Sequence, residues 1–142
     1  MRTLGIDYGD SRVGIAITDA LGITAQGIET IQTQGSDKIV LRKLDEIFEK
    51  YNNEIDTIVV GLPINMDGTE GFRVDITKKF IDKLKCKYGS HIKIETVDER
   101  LTTVMVDKTM IQGNVRRKDR RQKKDEMAAV IILQNYLDKM SF

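Results

Sequence analysis

The sequence contains one cysteine, Cys86, and one histidine, His91. A lone thiol excludes an internal disulfide and suits a reducing compartment. Nor do the two residues read as a nucleophilic pair. Cys86 stands in Lys85-Cys86-Lys87 near an expected helix end and His91 at an expected strand start. No third orienting group or nucleophile motif accompanies them. The same scarcity removes any Cys/His cluster for zinc. Long apolar runs are missing too. The N-terminal run Leu4-Gly5-Ile6 is broken by Asp7 before it reaches the length of a signal peptide or membrane helix, so a cytoplasmic chain with no membrane partner is expected. There is no internal repeat, low-complexity tract or linker. Charge of one sign is not in excess either: 23 Lys and Arg face 22 Asp and Glu, a net +1 that does not by itself mark a nucleic-acid binder.

What is present fits one folded unit. At 142 residues the chain is long enough for a single domain over 1–142 with one core, and its 40% apolar content is typical of globular proteins. Residues 3 to 9 alternate as a strand, Leu4 and Ile6 against Gly5 and Asp7. Turn residues Gly9, Asp10 and Ser11 follow. Val13, Ile15 and Ile17 then alternate with Gly14, Ala16 and Thr18, completing a hairpin. A third strand is expected over about residues 23 to 33, with Ile23, Ala25 and Gly27.

Ser36 is placed to cap a helix carrying Val40, Leu44, Ile47 and Tyr51 at helical spacing, ended by Asn52-Asn53. Ile58-Val59-Val60 mark a buried strand over Ile55 to Gly61. A loop from Leu62 to Thr69 leads to a helix over about 71 to 87, with Ile76, Phe80, Ile81 and Leu84 inward, stopped by Gly89. Ile92 to Asp98 form a fifth strand, in which Ile92, Ile94, Thr96 and Asp98 share a face. Residues 101 to 111 read as helical and Gly113 to Lys118 as a loop. A last helix runs from Asp119 or Gln122 to Met140. The early meander and the later strand–helix–strand unit predict an α/β fold, a mixed five-stranded sheet flanked by helices.

Four acids stand where such a fold places ligands. Asp7 ends the first strand, and Asp98 and Glu99 close the last, at the carboxyl edge of the sheet. Asp125 shares a helical stripe with Ala129, Ile132 and Tyr136, so its stripe faces the sheet. Converging carboxylates repel unless a cation neutralises them, and an all-oxygen set selects Mg²⁺ or Mn²⁺. Two such ions about 4 Å apart activate water and stabilise the leaving oxygen of a phosphodiester. The alternative is purely structural: Asp7 and Asp98 end strands, and Asp125 caps its helix or pairs with Arg121.

Arg116 to Lys124 read Arg-Arg-Lys-Asp-Arg-Arg-Gln-Lys-Lys. This run either attracts phosphates through its local field, by way of Arg116, Arg117, Arg120 and Arg121, or is a solvated loop and helix start. In the 62–71 loop, Asn65 and Thr69 either contact substrate or build the turn. Arg12 and Arg100 stand beside the acids, each able to pair with a carboxylate or a phosphate.

Four segments in this order carry a resemblance that spans the chain. They run Gly5-Ile6-Asp7-Tyr8-Gly9-Asp10-Ser11-Arg12-Val13-Gly14-Ile15-Ala16, Val59 through Gly71 with Gly61-Leu62-Pro63-Ile64-Asn65-Met66-Asp67-Gly68-Thr69-Glu70, Val97-Asp98-Glu99-Arg100-Leu101-Thr102-Thr103, and Lys124-Asp125-Glu126-Met127-Ala128-Ala129-Val130-Ile131-Ile132-Leu133. The chain resembles the YqgF/RuvX family of RNase H-like nucleases, which are described as acting on pre-16S rRNA or as Holliday-junction-resolvase-like. The resemblance implies an RNase H-like fold. It also implies a catalytic metal set of Asp7, one acid of Asp98-Glu99, and Asp125. Alternation puts Asp98 and Glu99 on opposite faces, so one of them points inward.

Two departures stand out. The wider RNase H-like pattern often ends the strand beside the first with an acid, whereas here that strand ends Gly61-Leu62-Pro63. Phe72 also stands where proline is expected. The implied partners are precursor rRNA or branched DNA, bound by a monomer or a homodimer. Two other classes remain in view. An actin-like ATPase or sugar kinase shares the Asp-x-Gly opening but needs two such domains, and a non-catalytic nucleic-acid-binding module needs only the basic run.

Overall fold

The computed structural model describes residues 1–65, 67–99 and 117–140, with side chains of the last helix described from residue 127 onward. Five strands, β1 (Arg2–Tyr8), β2 (Arg12–Thr18), β3 (Ala25–Gln32), β4 (Ile55–Leu62) and β5 (Lys93–Asp98), form one sheet in the order β3-β2-β1-β4-β5. The first three run as an antiparallel meander, while β4 and β5 run parallel to β1. The fold is thus the mixed five-stranded α/β sheet that the sequence pattern predicts. Helices α1 (Asp37–Lys50), α2 (Phe72–Tyr88) and α3 (Arg117–Met140) flank it.

Strand alternation divides the sheet into two unlike faces. Leu4, Ile6, Val13, Ile15, Ile17, Ile58 and Val60 point to one face and join Val40 and Leu44 of α1 and Phe80 and Leu84 of α2 in the main core. Helices α1 and α2 are also tied by polar contacts at the rim. Lys83 donates to Asp37 at 2.7 Å, and Lys87 and Tyr88 donate to Asp45 at 2.6 and 2.7 Å. Tyr8, at the end of β1, stacks on Phe80 with ring centroids 4.3 Å apart and donates its hydroxyl to Asp37. Burial and the Asp37 carboxylate push that phenol far above its ordinary pKa, so it remains a donor.

The other face is covered by α3 and built from small residues. Ala16 packs with Ala129 and Leu133, and Val59 and Val97 pack with Ile132. A Cβ on Gly5 would lie 2.9 Å from the Leu133 Cβ and 3.0 Å from the Ala129 carbonyl, so α3 rests directly on the backbone of β1.

Several expectations shift. Ile23 is 63% exposed and precedes β3: the Asp19 carboxylate accepts from the Ile23 and Thr24 N–H groups, and Gly22 takes a positive φ, so 19–24 is a turn. Ser36 holds the cap position of α1 without a side-chain hydrogen bond. In α2 the half-buried Ile76 gives way to Val74 and Thr77, whose hydroxyl donates to the Arg73 carbonyl at 2.9 Å and is thereby satisfied inside. The last helix already includes Arg117 and Lys118, which were expected in the preceding loop. The helix expected over 101–111 lies outside the described residues.

Candidate active site

The carboxyl ends of β1, β4 and β5 lie side by side, and the acids there sort by face. Asp7 shares its face with Gly5, on which α3 rests. It pairs across β2 with Gly14. On its other side the β1–β4 register ends with Gly5 opposite Val59 and Ile6 opposite Val60, and the next residue along β4 is Gly61. Asp7 is therefore flanked by two residues without side chains.

The opening over Gly61 is filled from the strand beyond. β5 pairs Leu62 with Asp98, and the Glu99 N–H donates to the Leu62 carbonyl at 3.0 Å, extending the ladder by one residue. Glu99 thereby takes the same face as Val97 and reaches back across β4. A Cβ on Gly61 would meet the Glu99 Oε1 at 2.5 Å and its Cγ at 2.6 Å. The Glu99 carboxyl forms a hydrogen bond with Asp7. The missing acid at the end of β4 thus has a structural counterpart: glycine there makes room for a carboxyl supplied by β5. Asp98 takes the opposite face, in the row of Ile94 and Thr96, and is exposed.

Burial, the hydrogen bond to Asp7 and repulsion from Asp7 push the Glu99 carboxyl up to about 9, opposed by the Arg73 guanidinium. With no cation present, Glu99 keeps its proton at neutral pH. A proton held between two crowded carboxyls marks a place where a hard cation is the natural replacement. Among the described residues no group of three or more potential metal ligands forms. Asp125 belongs to α3, one turn before Ala129, whose carbonyl lies over Gly5; its side chain is outside the described residues.

The other expected contacts are distributed differently. The Asn65 side chain donates to the Thr69 hydroxyl at 3.0 Å, and that hydroxyl donates to Asp67 at 2.6 Å. The Thr69 hydroxyl and N–H hold the Asp67 carboxyl below its ordinary range. With Gly68 at φ +88°, these residues build a closed turn. Arg12 opens β2, and its carbonyl accepts from Gly9 at 2.9 Å to close the hairpin. Arg117, Arg120 and Arg121 fall in the first turns of α3, while Arg100 and Arg116 lie outside the described residues. Sequence reasoning missed Arg73. It follows the Gly71 that ends the second motif, its Nη1 lies 3.3 Å from Asp10 in the β1–β2 turn, and its charge reaches Glu99.

Sheet order and helix placement define an RNase H-like fold, and solved structures share it. Thermus thermophilus RuvC in complex with a Holliday junction substrate matches at TM-score 0.55 and 13% identity, covering 99% of this chain and 96% of that one. The fowlpox virus Holliday junction resolvase matches at TM-score 0.57 and 16% identity, covering 99% and 100%. At such identity the likeness concerns fold alone. Sequence relatives carry it further. A protein of Acetivibrio thermocellus named "Putative pre-16S rRNA nuclease" is 46% identical over 138 residues, 97% of this chain and 96% of the relative. One of the same name from a Geobacillus species is 45% identical, covering 97% and 98%. The family model described as "RuvX: Holliday junction resolvase" matches residues 1–139, and the chain belongs to this family of nucleases. No helix among the described residues is long and apolar enough to cross a membrane.

Proposed function

We propose that this chain is a Mg²⁺- or Mn²⁺-dependent cytoplasmic nuclease that trims the 5′ end of precursor 16S rRNA. The observation that carries this reading is the carboxyl pair of Asp7 and Glu99, brought together over Gly61 in a member of a nuclease family. Asp7 and Glu99 would hold the cation, with Asp125 as third carboxylate from α3. When bound, Mg²⁺ or Mn²⁺ supplies Lewis-acid charge for water activation and for the leaving oxygen.

The chain's own residues set the conditions for this. To serve as oxygen ligands, Asp7 and Glu99 would exchange their shared hydrogen bond for the cation, the Glu99 proton passing to solvent. Gly14 and Gly61 place no side chain of their own beside Asp7, and the space over Gly61 is taken by the Glu99 carboxyl. The basic start of α3, with Arg117, Arg120 and Arg121, is suited to the phosphates on either side of the cut. The name shared by the relatives supports an rRNA substrate. The description of the family supports branched DNA as a second reading. A resolvase must set two sites across a junction, which calls for a symmetric dimer, whereas an RNA-trimming enzyme need not be one.

The test is cleavage in Mn²⁺ of a precursor-rRNA fragment and of a four-way DNA junction, with Asp7→Asn as control and sedimentation to give the oligomeric state. Metal-dependent cutting of the RNA alone supports the first reading. Cutting of the junction alone by a dimer replaces it with the second. Cleavage that survives exhaustive EDTA treatment sinks both.

A further inference from the structure

We propose that Phe72 and Arg73 form a nucleotide clamp beside the acid pair, the ring stacking on an unpaired base and the guanidinium holding the adjoining phosphate. The proposal rests on the nuclease reading and narrows its substrate to single-stranded or locally unpaired nucleic acid.

Three observations carry it. Phe72 is 76% exposed and, among the described residues, is the aromatic member of the exposed apolar set. The rest of that set lies elsewhere. Met1 precedes β1, Leu21 and Ile23 lie in the 19–24 turn, and Met140 ends α3. The exposure of Phe72 is not a property of its helix, because Phe80, Ile81, Leu84 and Tyr88 of α2 are buried.

Second, Arg73 is adjacent in the same helical turn, with its side chain 53% exposed. Its Nη1 meets Asp10 at 3.3 Å, which fixes the guanidinium toward the β1–β2 turn beside Asp7 while engaging one nitrogen of a five-donor group. Its positive charge also draws the Glu99 pKa downward, against the effects of burial and Asp7. Third, α2 begins at Gly71 with no side-chain cap, so its first N–H groups add positive character to the same rim. The acid pair carries negative charge that repels an approaching phosphodiester, and the Arg73 guanidinium held near it by Asp10 offsets that repulsion. The exposed ring of Phe72, one residue before Arg73 at the start of α2, offers what a base outside a duplex lacks, a stacking surface. A base inside an intact duplex is already stacked and gains nothing from Phe72.

Binding in EDTA to an oligonucleotide carrying 2-aminopurine separates this from simple charge attraction. Wild-type protein is expected to quench the fluorophore in a single strand and not in a duplex. Phe72→Leu should abolish the quench and weaken single-strand binding about tenfold, the order of one lost stack, with an unchanged melting temperature. Arg73→Gln should flatten the salt dependence on single strands by about 0.7, one phosphate contact, and Arg73→Lys should restore it. Asp10→Asn breaks the ion pair but keeps the guanidinium, so it should retain most of the binding. Absent quenching by wild type, or wild-type behaviour of Phe72→Leu on both substrates, would overturn the clamp. Equal losses in Asp10→Asn and Arg73→Gln would reduce Arg73 to a tie between turn and helix and overturn its part. Failure of the nuclease reading shows separately, as absent Mn²⁺-dependent scission by wild type.

Discussion

The two faces of the sheet are built from different materials. Under α1 and α2 the strands present Leu4, Ile6, Ile15, Ile58 and Val60, fully buried against Phe80 and Leu84. Under α3 the same strands present Gly5, Asp7, Gly14, Ala16 and Gly61. Each buried branched or aromatic side chain on the first face contributes roughly 1.5–3 kcal/mol. The second face contributes less apolar area per residue and spends its space on close backbone approach and on two acids that repel. Asp7 and Tyr8 show the division within one dipeptide. Tyr8 anchors the strand end in the core through Phe80 and Asp37, and Asp7 is thereby presented, on a fixed backbone, to the other side. Stability is concentrated on one face, which lets the other tolerate groups that stability alone would remove.

The largest effect expected from this contrast is on activity. Asp7→Asn, Glu99→Gln or Asp125→Asn should each reduce cleavage in Mn²⁺ by more than the roughly 100-fold typical of losing a supporting group, while melts in EDTA hold or rise because a repelling carboxyl is gone. A variant that melts lower yet cuts normally would remove its residue from the site. On the opposite face Phe80→Ala should do the reverse. It should cost about 3–5 kcal/mol in denaturant unfolding, with the metal requirement of the folded fraction unaltered.

Gly61→Ala tests the boundary between the faces. The new Cβ meets side-chain ends, Glu99 Oε1 and Ile132 Cδ1 at 2.5 Å, which can give way. A stability loss of about 1–3 kcal/mol is expected, with a larger proportional loss of metal affinity by calorimetry. Equal metal affinity in variant and wild type would mean that Glu99 is not held over Gly61.

A subtler effect comes from pH. Because the folded-state Glu99 carboxyl is raised from 4.5 to about 9, its contribution to stability is fully present below about pH 4.5 and is lost as pH rises through about 9. In EDTA the melting temperature should therefore decline across that window, and Glu99→Gln should flatten the decline. A wild-type curve parallel to the variant's would contradict the burial of this carboxyl. The smallest expected effect is at the start of α3. Replacing Arg117, Arg120 and Arg121 with Ala should lower the salt slope on duplex DNA by about 0.9 for each lost phosphate contact, and an unchanged slope would make the run a solvated surface.

Much of this division is visible in the alternation of single strands. Leu4 and Ile6 against Gly5 and Asp7 already separate core from site, and Asp98 and Glu99 must oppose each other. Which of the two joins Asp7 is not a local property. It follows from the Glu99–Leu62 hydrogen bond and from the side-chain gap at Gly61, both set by pairing between strands distant in sequence. Ile23 misleads because its apolar character suggests a strand, while the Asp19 carboxylate makes a better local offer to its N–H. Asn65 and Thr69 read equally as ligands or turn residues, since the same polar atoms serve both, and here Asn65 donates to Thr69 and Thr69 to Asp67. Arg73 carries no signal until the hairpin turn and α2 are folded together.

Asp7 lies near one end of the chain, Glu99 far beyond the middle, and α3 at the other end. Pairing β1 with β4 and β5 and then laying α3 on Gly5 are long-range closures, the slow kind in folding. The hairpin and the α1 layer form from nearby sequence and can precede them. On a ribosome, a chain still missing its last helix carries Asp7 and Glu99 but has nothing resting on Gly5 and no Asp125. The third carboxylate of the proposed set can join Asp7 and Glu99 only once α3 has emerged and packed on Gly5, so on the nuclease reading the site is completed by the last of these closures and not by the first.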